Sequence, residues 1–218
     1  MNVLFIGNSY TFFNDLEQIF EKLCRENGKD VRAWRVTQGG RKLLQLMEPG
    51  DPLIEKLIAA LQERPYDVCF LQEHSLRPLL NFNAFLEGAT YVRQLLKPQK
   101  PKVILYQTWA RKIGSPQLEK YGWTPDDMTH GLASAYEKVG HALGAEVSPA
   151  GVTFHKVLQL DHTIELYDPD KTHPSYAGSC LAALTHYHTL FKDFPEHTDS
   201  LCLEDSVLST FKTAIKKA

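Results

Sequence analysis

The chain has 218 residues, 43% of them hydrophobic and 23% charged, with a formal net charge of −2. That is enough apolar material for one sizeable core over residues 1–218. The near-neutral balance gives no global attraction for a nucleic-acid polyanion. No apolar run reaches the roughly 18 residues of a membrane span, and no charged-then-apolar leader precedes the first strand-like run. Four cysteines (Cys24, Cys69, Cys180, Cys202) are widely spaced with no C-x-x-C pair, and Cys69 and Cys180 sit in apolar runs as small hydrophobes. The expectation is a reduced, cytoplasmic protein with no nucleic-acid or membrane partner.

In chain order, short apolar runs alternate with longer helical ones. Strands are expected at Val3–Ile6, Val31–Val36, Val68–Leu71, Val103–Gln107 and Ala145–Ser148, mostly continuous runs of the kind buried on both faces. Between them, Leu16, Ile19, Phe20 and Leu23 recur at helical spacing before Asn27-Gly28. Further helices are expected at Leu53–Leu61, Phe85–Leu96, Asp126–Leu143, Ser175–Phe191 and from about Leu203. Five strand–helix alternations predict an α/β fold: a three-layer α/β/α sandwich around a five-stranded parallel sheet in the flavodoxin-like order 2-1-3-4-5. Ligands of such sheets bind beyond the carboxyl ends of the strands, so the loops there are where chemistry is sought.

The loop after the first strand reads Gly7-Asn8-Ser9-Tyr10-Thr11. Gly7 permits a tight turn, and Ser9 is then offered at the open edge, near backbone N–H donors and a positive helix end. The plainer reading is that Ser9 or Asn14 caps the helix. A second element, Asp168-Pro169-Asp170-Lys171-Thr172-His173-Pro174, precedes the last long apolar helix. Pro174 keeps His173 out of helical backbone geometry. Asp170, three residues earlier, can reach the imidazole Nδ1–H and leave Nε2 to accept a serine proton. Asp168 is the smaller alternative for that carboxylate.

Together the two elements put a nucleophile and its base on one sheet edge. At this point the chain resembles the SGNH (GDSL-like) hydrolases, through Phe5-Ile6-Gly7-Asn8-Ser9 and the pair Asp170 and His173. The resemblance implies a serine esterase with a Ser9-His173-Asp170 triad, requiring no cofactor and no metal. It further implies an oxyanion hole from the Ser9 N–H, a glycine in Thr37-Gln38-Gly39-Gly40-Arg41 (Gly40 favoured over Gly39), and an amide side chain after strand 3. The family's G-x-N-D block is replaced here by Leu71-Gln72-Glu73-His74-Ser75, and Gln72 is the amide expected to serve. That departure, similar to a Q-G-E version in some carbohydrate esterases, tilts the substrate toward acetylated sugars, ahead of short acyl or lipid esters.

Trp109, Tyr10 and Glu73 are expected to contact substrate, and the aromatic segment Trp109–Trp123 to form a lid or wall. His186 and His188 are two apart on a helix and so do not share a face for zinc. The rival functions are a flavodoxin-like phosphate or nucleotide module, and an inactive hydrolase fold used for interaction. Oligomeric state is not written in the sequence.

Overall fold

The computed structural model describes residues 1–218. Strand β1 (Asn2–Gly7) runs into helix α1 (Ser9–Phe12), a 3-10 turn at Phe13–Asp15 and helix α2 (Leu16–Glu26). Strand β2 (Arg32–Thr37) leads through a 3-10 segment, Leu43–Met47, to α3 (Pro52–Glu63) and β3 (Val68–Leu71). Helices α4 (Arg77–Leu80) and α5 (Phe82–Leu96) precede β4 (Lys102–Tyr106), followed by α6 (Pro116–Tyr121), α7 (Pro125–Leu143) and β5 (Glu146–Ser148). Helices α8 (Ala150–Leu160), α9 (Tyr176–Phe191) and α10 (Asp205–Lys216) complete the chain.

All strand pairings are parallel, in the order β2-β1-β3-β4-β5. Side chains alternate across the sheet with the period of two that strands impose. Val3, Phe5, Val68, Phe70, Ile104 and Tyr106 enter a core shared with α2, α8, α9 and α10. Leu4, Ile6, Cys69, Leu71, Val103 and Leu105 enter a second core, against α3, α5 and α7. This is the three-layer sandwich expected from the alternating runs. No helix is long and apolar enough to cross a membrane.

Two stretches differ from the expectation. Helix α8, Ala150–Leu160, carries no strong apolar period, yet it buries Ala150, Phe154 and Val157 along one side. The segment after β4 is no open loop: Ser115 caps α6 with Pro116 at its first turn, and Trp109 is fully buried.

The loop after β3 is tied to the segment after β2 by one carboxyl group. Glu73 is completely buried, and its Oε1 accepts from the N–H of Leu43 (3.2 Å) and of His74 (2.5 Å), while Oε2 has no partner. Burial pushes its pKa up to about 7, against the opposing pull of those N–H groups and of Arg77 and Lys42. A carboxyl raised above its ordinary value holds its proton more tightly folded than unfolded. Its stabilisation is therefore complete below about pH 4.5 and is lost as pH rises through 7. We expect wild type to lose roughly 3 kcal/mol of Glu73-linked stability between pH 4.5 and 8, and Glu73→Gln to remove that slope. Urea unfolding at the two pH values tests this; the same pH dependence in both proteins would refute it.

Candidate active site

The nucleophile turn is built from β1 outward. Asn8 caps α1: its Oδ1 accepts the Tyr10 N–H (3.2 Å), and its Nδ2 donates to the Arg41 carbonyl (2.9 Å) in the loop after β2. Ser9 is the first residue of α1, so its own N–H has no acceptor within the helix. Below it, Gly7 has no room for a side chain, since a Cβ would collide with Gln72 Oε1 and Thr11 Oγ1. Gln72 Oε1 accepts from the buried Asn8 N–H (2.9 Å) and from the Thr11 hydroxyl (2.9 Å). The turn is thus locked from beneath by a side chain from the loop that follows the neighbouring strand β3.

His173 is presented by the loop between Tyr167 and Pro174, which pair as an isolated antiparallel bridge. The Asp168 N–H donates to the His173 carbonyl (2.9 Å), and Lys171 takes a left-handed conformation (φ 60°) to close the turn. Asp170 Oδ1 accepts the backbone N–H groups of Thr172 and His173 (2.9 Å each), and Oδ2 lies 2.5 Å from His173 Nδ1. Burial works against the Asp170 charge, but these hydrogen bonds outweigh it and hold the carboxyl below its usual range. On the other side of the ring, His173 Nε2 lies 2.8 Å from Ser9 Oγ. With Nδ1–H directed at a carboxylate, Nε2 is the acceptor toward Ser9. Ser9, His173 and Asp170 therefore form one continuous hydrogen-bonded chain; the Asp168 carboxylate takes no part in it.

Three contacts dock this loop. Phe13 stacks on the imidazole with ring centroids 4.1 Å apart and planes within 7°. Asn14, itself left-handed (φ 56°), donates through Nδ2 to the Pro174 carbonyl (3.1 Å) and Ser179 Oγ (2.9 Å). Trp109 Nε1 donates to the Thr172 carbonyl (3.1 Å). Ser175 caps α9, its Oγ accepting the Gly178 N–H (3.1 Å), which leaves His173 in the loop ahead of the helix. Sequence does not mark Phe13 and offers Asn14 only as a helix cap, which it is not; an Asn-Asp pair after an aromatic doublet is the only trace of its docking role, because both residue types tolerate positive φ.

Several expected roles need correction. Gln72 does not turn its amide nitrogen toward Ser9: Nε2 donates to the Glu73 carbonyl, and the oxygen faces the turn. A buried backbone N–H at Asn8 requires an acceptor, and reversing the amide would set two donors face to face. Trp109 and Tyr10 are not walls of a binding site. Trp109 is stacked on Phe154 at 4.1 Å, and Tyr10, 3% exposed, packs against Trp109 and His173. Glu73 is fully buried in the tie described above. Gly40 is exposed and left-handed (φ 67°) beside Gly39, and neither N–H is used in a backbone hydrogen bond. His186 is buried with Nδ1 2.7 Å from Ser148 Oγ, whereas His188 bonds the Asp193 carbonyl, so the two imidazoles diverge.

A surface cavity of about 610 Å³, lined by Arg93, Lys97, Lys100 and Leu143 among others, lies at the amino end of β4, away from Ser9.

No protein-family model and no curated protein matches the sequence. Solved structures do match. A provisionally assigned SGNH hydrolase from Slackia heliotrinireducens is 28% identical, with a TM-score of 0.75 over 87% of this chain and 98% of that one. A DUF4886 family protein from Bacteroides uniformis is 16% identical, with a TM-score of 0.84 over 100% of this chain and 94% of its own. An acetyl xylan esterase is 15% identical, with a TM-score of 0.65 over 86% and 98% of the two chains. The architecture that carries Ser9 and His173 is the SGNH/GDSL-like hydrolase fold.

Proposed function

We propose that this protein is a serine esterase acting through Ser9, His173 and Asp170. The observation that carries the reading is the 2.8 Å contact between Ser9 Oγ and His173 Nε2, with Asp170 on the far side of the ring. In the first half-reaction His173 takes the Ser9 proton as Oγ attacks the ester carbonyl; it then protonates the departing alcohol, leaving an acyl-serine. In the second half, His173 activates water, which releases the acid and restores Ser9. Asp170 keeps the imidazole in the required tautomer and stabilises the imidazolium. The free Ser9 N–H and the unpaired N–H of Gly40 are the donors offered to the oxyanion. Gln72 acts at one remove, as the brace of the nucleophile turn.

For the substrate class, esters of acetylated carbohydrates are the leading reading. Its support is the acetyl xylan esterase among the structural neighbours and the stacked, half-buried pair Tyr121–Trp123 (4.7 Å).

Ser9→Ala is expected to lower turnover of an aryl acetate on the order of 10⁴-fold and to abolish labelling by a fluorophosphonate. Failure of wild type to label at any pH near 8 would remove the enzyme and favour a binding or interaction role for the fold. Asp170→Asn should cost on the order of 10³-fold or more, while Asp168→Asn should stay within about twofold; equal losses would overturn the assignment of the acid.

Gln72→Ala should lower turnover by roughly 10²-fold through misplacement of Ser9 and also lower the melting temperature, because the Asn8 N–H is left without an acceptor. An oxyanion donor would instead cost turnover with melting unchanged, so calorimetry beside kcat decides between the two.

A further inference from the structure

Arg111 is an unusual residue for its position. It is 5% exposed, in the segment after β4, and it is absent from every ion pair of the chain. Its Nη1 donates to Tyr10 Oη (2.5 Å) and its Nη2 to Ser75 Oγ (2.9 Å), both neutral hydroxyls; Nε is buried with no acceptor. Its charge bears on Tyr10, Tyr167 and His74, none of which is anionic near neutral pH, and the carboxylate that also bears on Tyr10, Asp170, is bonded to His173. Glu73, beside His74, is bonded to the backbone N–H groups of Leu43 and His74 instead. A buried guanidinium with no counter-ion is costly, and pairing it would relieve the cost.

Its place in the fold says what would pair it. Tyr10 follows β1, Ser75 follows β3 and Arg111 follows β4, three adjacent strands of the sheet. The guanidinium therefore lies over their carboxyl ends, the edge at which open α/β sheets hold ligands, and bonds the residue next to Ser9 in sequence. His74 adds a neutral donor to this region: its Nδ1 accepts the Leu76 N–H (3.3 Å), which places the ring proton on Nε2. Burial, with Arg111, Lys42 and Arg77 nearby, lowers its pKa to about 4, so the imidazole adds no charge of its own.

We propose that Arg111 is the floor of an anion subsite beside Ser9, which receives a carboxylate carried by the ester substrate. A carboxylate suits the planar guanidinium fork, since each Nη carries a second N–H beyond the one given to Tyr10 or Ser75. The inference rests on the esterase reading for its chemistry, but not for its binding.

Two matched substrate pairs test it: para-nitrophenyl hemisuccinate against its methyl ester, for a charge on the acyl side, and meta-acetoxybenzoate against its methyl ester, for a charge on the alcohol side. Wild type should favour the carboxylate member of at least one pair by roughly tenfold or more in kcat/KM, and Arg111→Gln should bring that ratio to about one. No preference in either pair, or a preference unchanged in Arg111→Gln, overturns the proposal. Should Arg111→Gln fail to fold, thermal melting of wild type decides: succinate should raise the melting temperature and succinamide should not, and equal effects overturn the subsite. A succinate-specific rise in a wild type that neither hydrolyses esters nor takes a fluorophosphonate would remove the esterase and leave the anion subsite standing.

Discussion

The contact between Ser9 and His173 joins residues 164 positions apart, and one hydrogen bond contributes only about 1 kcal/mol net. It cannot hold two loops together; the loops must already be held. Each is fixed from a different direction. The Ser9 turn is pinned from below by Gln72, just past the end of the adjacent strand β3, and from the side by Asn8 reaching the Arg41 carbonyl. The His173 loop is pinned by Asn14, by Trp109 and by the bridge between Tyr167 and Pro174. Phe13 then sets the plane of the imidazole. The geometry at the hydroxyl is the residue of these separate constraints, which is how a site on loops acquires the fixity usually supplied by rigid elements.

The two left-handed residues Asn14 and Asp15 show what that fixity demands. Consecutive positive φ values at non-glycine positions are unfavourable, and here they turn the chain so that the Asn14 amide meets the Pro174 carbonyl. Asp15 is held in turn by Arg35, 2.6 Å away, which also binds the largely buried Glu17 at 3.1 Å. Strain in the backbone and partners for the side chains occur at the same residues, as expected where surrounding structure over-determines a conformation.

Much of this was legible in the amino-acid order. Strands such as Val68–Leu71 are unbroken apolar runs because both faces of the sheet are covered, and the Asp170–Pro174 spacing brings carboxylate to imidazole within one turn. What was not legible is direction. Sequence identifies Gln72 as an amide at the edge of the sheet, but whether oxygen or nitrogen faces Ser9 depends on the unmet need of the Asn8 N–H, which only the packed loops create. Trp109 likewise reads as a surface aromatic in a polar segment. Helix α8 supplies the missing fact, since Phe154 on it stacks against the indole, and α8 is hidden in sequence by Gly151, Val152 and Thr153, residues of modest helix propensity.

Arg111 and Glu73 are the other half of the problem, because a buried guanidinium and a buried carboxyl sit in neighbouring loops without pairing. Glu73 spends its oxygen on the N–H groups of Leu43 and His74, and Arg111 spends its donors on Tyr10 and Ser75. Pairing them would return part of the desolvation cost of each, yet it would leave a hydrogen-bonded salt bridge with nothing to offer a ligand. Keeping them apart leaves one carboxyl whose proton affinity is raised and one guanidinium whose charge is unspent. Marginal stability lost in this way is typical of sites shaped for binding rather than for packing. The unpaired state of Arg111 is therefore better read as a property the crevice uses than as a fault the fold tolerates.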